Sequence, residues 1–141
     1  MRRRGATILE LTIILALLSG LCAIAIPRAG AFIDRIAVRG AVTDIESMFS
    51  LARHVAISRG SQAVLEIDAP SGVLSIRAGP DQILARDIAK AHGVAISSAR
   101  ASMTYSPIGV GYGAANFSMV VSRGSEADSI IVSRLGRVRH Q

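Results

Sequence analysis

Residues 6–26 read ATILELTIILALLSGLCAIAI, an apolar run whose single charge is Glu10. Coiled as a helix, the run would extend roughly 30 Å, the thickness of one bilayer hydrocarbon core. Arg2, Arg3 and Arg4 stand just before it. Basic residues flanking a span stay on the cytoplasmic side, so the remainder of the chain is expected across the membrane.

Three processing routes fit such a segment. A conventional secretory signal would be cut after Ala23-Ile24-Ala25, releasing a soluble periplasmic protein. A lipoprotein signal would end at Cys22, although Leu21 is a poor residue to precede a lipidated cysteine. A short leader, residues 1–5, would be cut after Gly5 and the apolar helix kept. Glu10 separates these routes. A carboxylate deep in a membrane helix costs about 2.5–3.5 kcal/mol, and less near an interface; a discarded signal gains nothing from it. In a helix that begins at Ala6, Glu10 lies one turn in, facing the positive end of the helix dipole. It could pair with the free amine of Ala6 or with that of a neighbouring subunit. The second pairing would set one subunit against the next at a fixed axial step.

Gly5-Ala6-Thr7-Ile8-Leu9-Glu10-Leu11 resembles the class III signal of type IV pilins and type II secretion pseudopilins. In that family a prepilin peptidase cuts after the glycine and methylates the new amino terminus, the fifth mature residue is glutamate, and an apolar helix follows. The charges before the glycine match too, and Pro27 falls where many members carry a helix-kinking proline. Ala6 departs from the usual phenylalanine, which bears on methylation more than on cleavage. The resemblance implies a protein of the bacterial inner membrane, single-pass, with a periplasmic C-terminal domain, incorporated into a pilus or pseudopilus. Its implied partners are other pilins or pseudopilins, the prepilin peptidase and an inner-membrane assembly platform.

Beyond Pro27 the helix is expected to continue as residues 27–60. Ile45, Met48, Phe49, Ala52, Val55 and Ala56 recur at i, i+3, i+4, i+7, with Asp44, Glu46, Ser47 and Arg53 on other faces, an amphipathic stripe for packing on a globular part. Pro27 and Gly40 should each bend or weaken it, and Ser58-Arg59-Gly60 reads as its stop. Residues 61–141 then change to period two. Strands are expected at 63–68, 73–78, 94–98, 101–106, 116–122 and 129–133, with Ala69-Pro70-Ser71-Gly72 as a turn. Residues 79–93 are ambiguous; 83–91 fit a short helix. One long helix followed by many strands predicts an α+β fold, the helix covering one face of an antiparallel sheet. This layout, over residues 45–139, is similar to the H-type minor pseudopilins and FimT-like minor pilins.

Composition bounds the rest. The 141 residues have room for one domain. The formal charge is +6, carried by arginine apart from Lys90. Without the three leader arginines the 16 basic residues become 13 against 10 acidic, or +3, so the high pI is partly a leader effect. Cys22 has no second cysteine to pair with, so the folded part stands on packing alone.

No residue pattern suggests an enzyme, a metal site or a cofactor. His54 lies beside Arg53 on the expected helix, His92 precedes a glycine, and His140 is in the tail; none has metal-ligand spacing to Cys, Asp or Glu. Gly109-Val110-Gly111-Tyr112-Gly113 lacks the lysine and following helix of a phosphate loop. Arg134, Arg137, Arg139 and His140 lie within seven residues, and after a turn at Leu135-Gly136 the basic tail with Arg137 and Arg139 is expected to lie beyond the last strand. Arginines of this kind can track phosphates bidentately, and in the FimT-like branch a Gly-Arg-x-Arg tail, here Gly136 to Arg139, is associated with DNA capture. Three functions therefore stand: a structural minor pseudopilin or pilin, a DNA-binding minor pilin, and a soluble periplasmic protein.

The leader decides among them first. The mature chain should begin at Ala6 and keep the apolar helix, which intact-mass and N-terminal peptide spectrometry will read directly. A mature chain beginning at Ile26 would instead mark the soluble protein.

Overall fold

The computed structural model describes residues 7–112, 116–133, 135 and 137–140. The chain divides into two compact units, one ending at Ile33 and the other beginning at Asp34. Helix α1 (Ile8–Arg59) contributes to both.

In the first unit every described residue from Thr7 to Gly30 is exposed. The helical N–H of Glu10 donates to Thr7 Oγ1 at 3.3 Å, a cap on the first turn. Two hydroxyls inside the apolar run turn back onto the backbone, Thr12 Oγ1 to the Leu9 carbonyl and Ser19 Oγ to the Leu15 carbonyl, both at 2.8 Å. Hydroxyls satisfied in this way need no water; the Glu10 carboxylate makes no such bond among the described residues. The helical assignment runs through Pro27 without interruption.

In the second unit α1 buries one stripe, Val38, Ala41, Val42, Ile45, Met48, Phe49, Ala52, Val55 and Ala56, which includes all six residues whose spacing predicted it. The helix stops where expected. Gly60 takes φ 58°, and its N–H and that of Ser61 reach back to the carbonyls of Ile57 and Ala56.

Eight strands follow: β1 (Ala63–Asp68), β2 (Val73–Ala78), β3 (Asp81–Asp87), β4 (Ala95–Ser98), β5 (Ser102–Tyr105), β6 (Asn116–Arg123), β7 (Glu126–Ser133) and β8 (Val138–His140), with a short helix α2 (Ile88–His92) after β3. With α1 they make the expected α+β fold, the antiparallel strands lying in two sheets ordered β3-β2-β1-β5 and β4-β6-β7-β8. Strict alternation aims Leu65, Ile76, Met119, Val121, Ile130 and Val132 inward, and with the α1 stripe they make a single core. Phe49 of α1 meets Phe117 of β6 with ring centroids 5.4 Å apart.

The expected short helix over residues 83–91 is wrong for most of its length, because residues 81–87 form edge strand β3. The reason is a bulge. Arg77 faces Gln82 while Ile76 faces Leu84, so Ile83 is an extra residue, and the adjacent Ile83-Leu84 pair breaks the period-two signal. The true helix begins only after Asp87, whose side chain caps the N–H of Lys90 at 2.8 Å. It rests on Gly72, at φ 69°; a Cβ there would lie 2.1 Å from that of Ala89.

Ion pairs ring this core. Asp34 holds Arg123 at 2.9 Å and Arg35 holds Glu126 at 3.3 Å, fastening the β6–β7 hairpin to α1. Asp44 bridges Arg86 at 3.1 Å and His92 at 2.9 Å, and Arg123 also donates to the His92 carbonyl. His92 is therefore half-buried and paired. Each partly exposed pair is worth about 0–1 kcal/mol; together they fix orientation more than they add stability.

Tyr105 is fully buried, and its hydroxyl is without a hydrogen-bond partner among the described residues. Burial pushes its pKa up to about 12, with the Arg53 charge pulling the other way. The unfolded phenol ionises near 10 while the folded one keeps its proton, so the unfolded state binds fewer protons in this window. Stability should be full below about pH 10 and should fall by on the order of 2 kcal/mol as pH rises toward 12. Tyr105→Phe should abolish that share of the alkaline loss and be neutral or stabilising at pH 7, because an orphan hydroxyl is removed. Urea unfolding of residues 28–141 from pH 7 to 12, for both chains, measures it.

Candidate functional site

Two regions carry the candidate residues named from the sequence. The first is the start of α1. Glu10 is exposed in the first helical turn, surrounded along the helix by exposed Leu9, Leu11, Ile13 and Ile14. Leu11 N donates to the Thr7 carbonyl at 3.1 Å, so the helical ladder is formed by the point where Glu10 leaves it. The helix is long and apolar enough to cross a membrane, and its most apolar stretch is wholly unburied within the chain. Chemically this is an apolar rod with one anionic site near its positive dipole end. Gly5 and Ala6, the expected cleavage pair, lie outside the described residues.

The second region is the C-terminal end of the chain. Here the expected tail is corrected: residues 138–140 are strand β8, paired with β7 so that Ile131 faces Arg139 and Val132 faces Val138. Ser133 begins the turn into it, donating its N–H to the Arg137 carbonyl at 2.8 Å while its hydroxyl accepts from Arg137 N at 3.1 Å. Three residues are too short a run to show alternation, which is why periodicity could not find this strand. Pairing places Arg137 and Arg139 on the lining of one depression of about 470 Å³, with Asn116, Ile131, Ser133 and Leu135. Both arginines are exposed. Arg134, the third arginine of the expected cluster, lies outside the described residues.

Sequence reasoning missed the charged residues that fasten the hairpin to α1. Asp34-Arg35 and Arg123…Glu126 carry opposite charges in matching order, the only signal available, and nothing local says that the two segments meet. Among the described residues no three of His, Cys, Asp and Glu converge to hold a metal ion. His54 lies with Ser50, Arg53 and Ile57 in a shallow depression on α1.

Residues 41–136, well over half of the chain, match the family described as Type II transport protein GspH. Among solved structures, the type IV minor pilin FimU of Pseudomonas aeruginosa superposes with a TM-score of 0.65 at 16% identity, over 76% of this chain and 90% of that one. A second crystal form of FimU gives 0.60 at 14%, over 73% and 91%. The minor pseudopilin EpsH from the Type 2 Secretion System of Vibrio cholerae gives 0.56 at 11%, over 74% and 95%. At these identities the likeness is one of fold. No curated protein matches the chain in sequence.

Proposed function

The chain belongs to the GspH family of type II transport proteins, and on that premise we propose that it is a minor pseudopilin or pilin subunit that assembles into a filament through its N-terminal helix. The observation that carries this is the combination of an unburied apolar helix, bearing one carboxylate in its first turn, with a folded unit that has its own core. The work is mechanical; the chain is a substrate of a prepilin peptidase, cut between Gly5 and Ala6, and catalyses nothing itself.

In this reading residues 6–26 hold the subunit in the inner membrane in a single pass, with Arg2, Arg3 and Arg4 on the cytoplasmic side and the unit from Asp34 onward in the periplasm. An assembly platform then moves the helix from lipid into the filament, where neighbouring apolar helices replace the acyl chains. That exchange is nearly neutral for Leu and Ile side chains. Glu10 gives it direction, because in the filament the carboxylate gains a neighbour's Ala6 amine as partner, and unpaired charge in apolar surroundings is costly.

Glu10→Ala should insert as well as the native chain or better, since a charge leaves the membrane, yet its incorporation into filaments should fall sharply. Glu10→Asp should retain part of it, with a shorter reach. Immunoblots of membrane and sheared-filament fractions read both quantities; normal incorporation of the alanine variant would overturn the pairing role.

A second reading, DNA capture by a minor pilin, is favoured by one feature, the shared depression that Arg137 and Arg139 line. If both contact phosphates, each lost contact should lower the salt slope of duplex binding by roughly 0.9, with no sequence preference. Both side chains are exposed, so Arg137→Gln with Arg139→Gln should leave folding intact. Binding of residues 28–141 to duplex DNA at several salt concentrations decides it: equal slopes for wild type and double variant leave the structural role alone.

A further inference from the structure

Helix α1 and the β6–β7 hairpin face each other across a ladder of charges that stops one rung short. Asp34 holds Arg123, and Arg35 holds Glu126 at the first residue of β7. One helical turn beyond Arg35 stands Arg39, and two strand residues beyond Glu126 stands Asp128. Four helical residues advance about 6 Å and two strand residues about 6.7 Å, so the two side chains stay level. Both line one depression of about 320 Å³, with Val42, Thr43 and Glu46. Yet Arg39 is exposed and makes no ion pair among the described residues.

Asp128 needs a donor. It shares a strand face with Ile130 and Val132, both fully buried, so alternation aims it toward the helix. Its Oδ1 is buried and without a hydrogen-bond partner among the described residues. A carboxylate oxygen left in that state is costly. The other lining residues cannot relieve it. Val42 has no polar side-chain atom, and an ionised Glu46 carboxylate only accepts. The Thr43 hydroxyl already donates to the Arg39 carbonyl at 3.0 Å. The Arg39 guanidinium is the remaining donor of the lining, a flat fork on a long flexible stem. Several exposed arginines of this unit lack an acidic partner; Arg39 differs in having an unpartnered carboxylate oxygen on the wall of its own depression.

We propose that Arg39 is a latch poised to close on Asp128. Turned inward, its guanidinium becomes the third rung between α1 and the hairpin, supplies the donor that Oδ1 lacks and fills the depression over Val42. Turned outward, as in this structure, it leaves the depression open with the carboxylate at its wall. Closing gives up the rotamer freedom of one arginine for a charge-assisted hydrogen bond to a buried oxygen, an exchange that favours the closed state. The device lies wholly within the unit beginning at Asp34 and does not rest on the filament reading.

The test uses the full-length chain in detergent micelles. Pulse proteolysis in urea measures the folding equilibrium of the wild type, Arg39→Gln, Asp128→Asn and the double variant. Arg39→Gln should lower the folding constant about tenfold beside Asp128 and roughly twofold or less beside Asp128→Asn, the coupling of two groups that share one contact. Arg39→Lys, which keeps the charge and loses the fork, should fall between wild type and Arg39→Gln. Equal effects of Arg39→Gln in the two backgrounds, or no effect in either, overturn the latch. Nitrogen-15 NMR of the arginine side chains reads the same contact in the wild type, even where Asp128→Asn fails to fold. Resolved Arg39 Nη signals, from slowed rotation of a held guanidinium, are expected; signals averaged by free rotation overturn the latch.

Discussion

Ile45, Phe49 and Ala52 of α1 are buried against the inward residues of both sheets, and every other part of the folded unit depends on that burial. Neither sheet has a core of its own: each is four strands wide with one apolar face, and the helix stripe lies in the cluster both share. At about 25 cal/mol per Å² of apolar surface, burying such a stripe outweighs anything the surface ion pairs add. Asp34, Arg35 and Asp44 instead determine how the β6–β7 hairpin, α2 and β3 are set around the helix. The same helix obeys a second constraint before Ile33, where apolar residues fall on every side and none is buried. One helix thus carries two sequence textures because it meets two surroundings.

That division explains what was legible. An all-round apolar run and a one-sided stripe are local periodic signals, so the apolar run, the Ile45–Ala56 part of the buried face and the Gly60 stop can be read directly, while Val38, Ala41 and Val42 come only with the structure. Strands β1, β2 and β6 are regular enough to declare themselves. The partition into two sheets is not local: β4 falls between β3 and β5 in the chain yet joins the other sheet, and no residue in Ala95–Ser98 announces it. The Ile83 bulge disguises β3, and β8 is too short to show a period. Of the candidate residues, Glu10 stands out because a charge in an apolar run is costly anywhere. The gathering of Arg137 and Arg139 at one depression needs the strand pairing to be seen, and the placing of Arg39 and Asp128 at another needs the tertiary contact.

The fold is shared with FimU and EpsH at identities where few particular side chains persist. What survives such divergence is the arrangement of layers around one helix.

The strand order also dictates when the unit can become complete. β1 waits for β5, with Ala63 paired to Tyr105, and β4 waits for β6, with Ile96 paired to Val121. A chain delivered from its N-terminus therefore forms the Val38–Ala56 stripe early and leaves it uncovered until nearly all of residues 63–132 have arrived. Such late closure of sequence-distant pairs slows folding and exposes apolar surface meanwhile. During that interval the nascent unit leaves its apolar stripe open to other chains until the last strands close.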